Sequence, residues 1–223
     1  MRSSPLGWGS PAIEDFVLSA VAAEPKISAR DLAKDLVRAA LAHDTGSARD
    51  DITAGVVYFR DARRLLVLTG PPLNPGRDAE MARIFREYPG KRLVAGGTTA
   101  SIIARETGAA VKVDLGHLDP EIPPTATMAG ADLVTEGIIT LGRAAELLAT
   151  GERFEDLPRN AAAQAIDLML DSDIIEFVVG TKINEAHQDP NMPVELEIRR
   201  NVIKRLAAVL EERYLKEVSI RFI

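Results

Sequence analysis

Two sets of residues have the types and spacing to do chemistry. The first is a polar turn, Ser47-Ala48-Arg49-Asp50-Asp51-Ile52-Thr53, followed at once by the apolar run Ala54-Gly55-Val56-Val57-Tyr58-Phe59. Carboxylate oxygens are what a hard divalent cation needs, although most turns of this kind are only solvated. The second set is four turns that close β-like runs with Gly or Thr: Thr69-Gly70, Gly96-Gly97-Thr98-Thr99, Thr135-Glu136-Gly137 and Gly180-Thr181. In open α/β sheets the carboxyl ends of strands line the ligand crevice. Gly lets the backbone come close to a ligand. A helix opening at Thr98-Thr99 turns unpaired N–H groups and a positive dipole end toward that crevice. The expected pocket takes a small anionic ligand and is lined by Thr69, Gly70, Gly96, Gly97, Thr98, Thr99, Glu136, Gly137, Gly180 and Thr181. The same residue types are ordinary in turns and N-caps, so the expectation rests on the four occurrences together. No Gly-Lys-Ser/Thr makes a P-loop, and no dinucleotide fingerprint is present.

Other chemistry-bearing residues carry less. His187 and Asp189 stand in a polar loop, where they could ligate a metal or pair, but a solvated loop is the plainer reading. Glu136, close to an apolar strand end, is a general base or a capping acid. Arg199-Arg200 on the last helix is an anion contact or a solvated face. No Ser/His/Asp arrangement is readable from spacing.

The elements that must position these residues alternate in type. Ser10-Pro11 reads as an N-cap and first helical residue, opening a helix with Ile13, Phe16, Val17 and Val21 on one face that stops before Pro25. Ser28 with Asp31 reads as a capping box with the shorter acid, and Leu32, Leu36, Ala39 and Ala40 follow at helical spacing. A strand is expected over residues 54–59. The charged break Asp61-Ala62-Arg63-Arg64 marks a domain boundary. Beyond it, strands are expected at 65–68, 92–95, 110–114, 132–134, 174–179 and 218–222, with helices at 78–88, 98–106, 141–148, 160–170 and 194–214 and a Pro-rich loop at 119–127. This alternation predicts a layered α/β domain with a largely parallel sheet.

Composition excludes several classes. The chain has 223 residues, 46% hydrophobic and 27% charged, which suits an ordinary globular protein. Aromatics are only 4%, so the core must be aliphatic. There is no Cys, hence no disulfide, thiolate metal site or cysteine catalysis. The net charge of −6, without a basic arm or aromatic-studded basic stripe, argues against nucleic acid as a partner. No apolar run reaches the roughly 18–20 residues that span a bilayer, and the N-terminus lacks a signal-peptide core. The expectation is a cytoplasmic protein with no membrane partner.

The Ser47–Thr53 turn and the run after it resemble the last metal-binding motif of the type 2C metal-dependent protein phosphatases, in the bacterial subfamily of stage II sporulation protein E. The resemblance extends to Pro5-Leu6-Gly7-Trp8-Gly9, the helix Ala29 to Ala42, Gly96-Gly97-Thr98-Thr99 and Thr135-Glu136-Gly137-Ile138-Ile139, so it covers essentially the whole chain. It implies that residues 1–60 are the C-terminal piece of a phosphatase domain and residues 61–223 an α/β regulatory or ligand-binding domain. It implies that Asp50 is a Mn²⁺ or Mg²⁺ ligand of a complete two-metal site, which hydrolyses phosphoserine or phosphothreonine in a phosphoprotein substrate. The earlier Asp motifs of such a domain, and the Ser-Asp-Gly motif expected before Gly7-Trp8-Gly9, are absent. One Asp does not hold two metals. The expected role is therefore regulatory, without activity of the chain alone. The apolar faces of residues 10–42 and 54–59 would otherwise complete a two-sheet sandwich. They need cover from the second domain, another copy or a complementing chain. Two alternatives are a stand-alone small-molecule- or anion-binding α/β module and an enzyme that uses Glu136 and the Thr98 pocket.

Overall fold

The computed structural model describes residues 8–223 except 26, 45, 49, 115, 117–118, 152–159 and 183–192, and of 193–195 the backbone only. Pro5-Leu6-Gly7 and the loop candidates His187 and Asp189 therefore lie outside the described residues. The chain divides into two compact units, Met1–Asp61 and Ala62–Ile223.

In the first unit, α1 spans Ser10–Ala23 and α2 spans Ala29–His43. Gly9 rather than Ser10 is the N-cap of α1, which puts Pro11 at the second helical position, where its missing N–H still costs nothing. Glu24 closes α1 ahead of Pro25, because a residue before proline is pushed out of the helical region. Ser28 caps α2 by accepting the Asp31 N–H at 3.0 Å, and its hydroxyl donates to the Asp31 carboxylate at 2.6 Å. The shorter acid thus meets the cap's hydroxyl instead of its backbone N–H. Trp8 stacks on His43 with centroids 5.0 Å apart and meets Phe16 edge-on at 5.3 Å.

The strand expected over residues 54–59 does not form. Ile52, Ala54 and Val56 are half-buried and alternate with exposed neighbours, the period of a strand. A strand also needs a neighbour for its N–H and C=O groups, and none exists among the described residues of this unit. Val57 and Phe59 stay 79% and 90% exposed.

The second unit is a layered α/β domain. Its strands are β1 (Arg64–Thr69), β2 (Lys91–Ala95), β3 (Val111–Val113), β4 (Ala126–Met128), β5 (Leu133–Thr135), β6 (Ile174–Val179) and β7 (Glu217–Phe222). Its helices are α3 (Asp78–Glu87), α4 (Gly97–Thr107), α5 (Ile138–Thr150), α6 (Ala161–Leu170) and α7 (Pro193–Tyr214). The sheet order is β3-β4-β5-β2-β1-β6-β7. The strands β5, β2, β1, β6 and β7 are mutually parallel, whereas β3 and β4 add an antiparallel edge. Strand β4 falls in the expected Pro-rich loop. Its three residues, close behind Pro123-Pro124, are too few to show a period.

Leu65, Val67, Leu93, Ala95, Leu133, Ile175, Phe177 and Val179 point to one side and pack on α5, α6 and α7. Leu66, Leu68, Val94, Val134 and Val178 point to the other and pack on α3 and α4. Central strands covered on both faces must be apolar throughout, which is why Leu65–Leu68 is a continuous run. Taken in chain order, the five parallel strands lie as third, second, first, fourth, fifth. That is a doubly wound order, with its switch point between β1 and β6.

Candidate functional site

The sheet order sorts the four turns into two pairs. Thr69-Gly70 and Gly180-Thr181 meet at the ends of β1 and β6. Gly96-Gly97-Thr98-Thr99 and Thr135-Glu136-Gly137 meet at the ends of β2 and β5.

At the switch point the chain uses its own polar groups. The Gly180 N–H donates to the Thr69 carbonyl at 2.8 Å, and the Lys182 N–H to the Pro71 carbonyl at 3.1 Å. Thr181 gives both its N–H and its hydroxyl to the Ile223 carbonyl, at 2.9 and 3.0 Å. A Cβ on Gly180 would run into the carbonyl oxygens of Gly70 and Pro71. Gly70 has φ +77°, and a Cβ there would stand 2.8 Å from Arg199 Nη1. That guanidinium donates to the carbonyls of Gly180 and Lys182 at 3.2 and 3.4 Å. These glycines let two loops and an arginine pack together. Arg200, the other half of the pair, lies over the Phe222 ring at 5.2 Å.

The β2–β5 pair is built differently. Gly96 and Gly137 have φ of +126° and +132°, a region that side-chain-bearing residues rarely adopt. The Gly96 N–H donates to the Thr135 carbonyl at 2.9 Å, which joins the two turns. Each glycine is the N-cap of the helix that follows, and neither has a side chain with which to cap it. The first N–H groups of α4, on Gly97, Thr98 and Thr99, have no intrahelical acceptor. Gly97 and Thr98 are exposed, and a Cβ on Gly97 would meet nothing within 4 Å. Helix α5 is instead served by Glu136, whose Oε2 accepts the Ile139 N–H at 3.3 Å. That carboxylate is exposed.

Three threonines lie in or next to these turns along the chain. Thr99, Thr135 and Thr140 are buried to 0%, 3% and 0% relative exposure, and their Oγ1 atoms have no hydrogen-bond partner among the described residues. Thr99 Oγ1 lies 3.2 Å from where a Cβ on Gly96 would sit, so it points at the turn. A buried hydroxyl without a partner costs about 1–3 kcal/mol. The first N–H groups of α4, the Thr99 hydroxyl and an adjacent carboxylate make a site that can grip an acceptor on one side and a donor on the other. Thr140 escapes sequence reading because the helical pattern starts one residue later, at Leu141, which leaves Thr140 in no motif.

Asp50 stands apart. It is exposed, and its Oδ1 accepts the Asp51 N–H at 2.9 Å. No three His, Cys, Asp or Glu side chains come together as metal ligands among the described residues. The described residues do not fit a two-metal site.

Among the described residues no helix is long and apolar enough to cross a membrane. Compared with protein-family models, curated proteins and solved structures, the chain matches none.

Proposed function

We propose that residues 62–223 form a regulatory unit that binds a small anionic molecule at the β2 and β5 turns. In this reading the chain is the C-terminal portion of a metal-dependent serine/threonine phosphatase resembling stage II sporulation protein E, and it has no phosphatase activity alone. The carrying observation is the junction of two glycine-capped helix starts with the orphan hydroxyl of Thr99 aimed at it. A helix N-terminus favours negative charge and offers oriented N–H donors. The phosphatase half is supported by the sequence resemblance. Among the described residues Asp50 joins no group of three or more metal-ligating side chains and the strand-patterned run has no partner strand, as that reading expects of the last piece of a catalytic domain.

The test is a titration of the ¹⁵N-labelled full chain with acetate and with inorganic phosphate, following the Gly97, Thr98 and Thr99 amide signals. Saturable shifts confined to the two turns support the reading, and their absence with both anions counts against it.

A second reading, a free-standing module unconnected with a phosphatase, is favoured by one observation. Both apolar cores are made wholly of residues from the second unit, so that unit needs nothing before Ala62 to bury its sheet.

A further inference from the structure

We propose that the ligand is a zwitterion of the α-amino acid class, with its carboxylate on the first turn of α4 and its ammonium on Glu136. This rests on the reading of the β2 and β5 turns as the ligand site.

Three observations carry it. The first is the juxtaposition of opposite preferences. The α4 start offers N–H donors and a positive dipole end, while the Glu136 main chain lies against the same turn, its carbonyl 3.7 Å from where a Cβ on Gly96 would sit. The Glu136 carboxylate uses only Oε2 on the Ile139 N–H, and the group is exposed. An acceptor for an ammonium therefore stands beside a cradle for a carboxylate.

The second is Thr99. Its hydroxyl is fully buried, unpartnered and aimed at the Gly96 turn. A hydroxyl can donate to a carboxylate oxygen or accept an N–H, so it serves either half of a zwitterion.

The third is charge balance. Arg63 and Lys91 pair with Asp171, Arg105 with Asp78, Arg143 with Glu146 and Arg199 with main-chain carbonyls, and among the described residues no Lys or Arg forms an ion pair with Glu136. A helix N-terminus supplies roughly half a positive charge, and Glu136 supplies a full negative one. A phosphate dianion next to Glu136 would be repelled with little to offset it. A carboxylate that brings its own ammonium leaves the site near neutral.

The experiment titrates the ¹⁵N-labelled full chain with each of the twenty protein amino acids, again following the Gly97, Thr98 and Thr99 amides. Any amino acid that binds is compared with the carboxylic acid that lacks its amino group, and then with the Glu136→Gln chain. We expect at least one amino acid to give saturable shifts. The deaminated acid should bind at least tenfold more weakly, and Glu136→Gln should lose the amino acid by a similar factor while keeping the acid. Deaminated acid or inorganic phosphate binding as tightly as every amino acid overturns the zwitterion and leaves the anion site standing. Silence of these amides with amino acids, acetate and phosphate alike overturns both. The acid comparison is made on the unmodified chain, so it decides the matter even if Glu136→Gln fails to fold.

Discussion

Gly137 lies against Gly96 so closely that a Cβ on Gly137 would stand 3.1 Å from the Gly96 Cα and 3.3 Å from its nitrogen. The two helix starts are thus set side by side by the lack of two side chains. With φ +132° as well, Gly137→Ala should destabilise the chain by about 1–3 kcal/mol from backbone strain alone. A lowered Tm checks this, and an unchanged Tm would mean that Gly137 does not hold this backbone conformation.

Gly97, one residue beyond Gly96, behaves oppositely. It faces open space and has no positive φ. Gly97→Ala should leave stability unchanged or raise it by up to about 1 kcal/mol, by restricting the unfolded chain. Gly97→Val should fold yet abolish ligand binding, because its branched side chain occupies the approach to the first N–H groups of α4. If Gly97→Val binds its ligand as well as the parent chain, the crevice at this turn is wrong.

The orphan threonines give a prediction of unusual sign. Thr99→Val and Thr140→Val keep shape and remove hydroxyls that have no partner here. Each should raise the stability of the ligand-free chain by about 1 kcal/mol or leave it unchanged, since a desolvation cost of about 1–3 kcal/mol is relieved. Thr99→Val, whose hydroxyl points at the Gly96 turn, should also weaken ligand binding. Denaturant titration with and without ligand separates the two effects. Equal destabilisation with and without ligand would mean these hydroxyls hold the fold through bonds not seen here.

Much of the second unit was legible because its central strands must be buried on both faces. Leu65–Leu68 and Ile174–Val179 are continuous apolar runs for that reason, and α7 shows its inner stripe through Leu206, Val209 and Leu210. The failures have physical causes. Residues 54–59 have a strand's composition, but composition does not supply a neighbouring strand. The same Gly-Thr signature marks both turn pairs, yet sheet order alone decides that Gly180 packs on Gly70 while Gly97 stays open. A single sequence read locally does not contain that difference. Thr135 was visible in its turn, but that its hydroxyl lacks a partner is a property of packing.

Asp171 ties the amino ends of β1 and β2 to the end of α6. It takes a hydrogen bond from Lys91 at 2.8 Å and is paired with Arg63. Partial burial works against its charge, but the Lys91 hydrogen bond and the charges of Lys91 and Arg63 outweigh this and hold its carboxyl below the ordinary range. A folded-state pKa below the unfolded value means that the stabilisation is fully present above about pH 4, the unfolded value. It is lost as pH falls through the lower, folded value. Asp171→Asn should cost on the order of 1–2 kcal/mol near neutral pH, the range of a partly exposed charged hydrogen bond. It should also flatten the acid limb of the stability curve. An acid limb identical to that of the parent chain would show that this carboxylate is not coupled to folding.

The phosphatase side yields a prediction of absence that can be checked by gain. Asp50 is exposed and among the described residues its carboxylate holds the Asp51 N–H alone, so Asp50→Ala should change stability by no more than about 0.5 kcal/mol. A divalent ion needs several oxygen ligands, and among the described residues Asp50 belongs to no group of three or more ligating side chains. Mn²⁺ should therefore leave Tm unchanged, whereas a site filled to a hundred times its Kd would add about 2.7 kcal/mol. A phosphoserine peptide should not be hydrolysed in the presence of Mn²⁺. Mn²⁺-dependent hydrolysis that disappears in Asp50→Ala would mean a working metal site completed by side chains outside those described, and the regulatory reading would give way to a catalytic one.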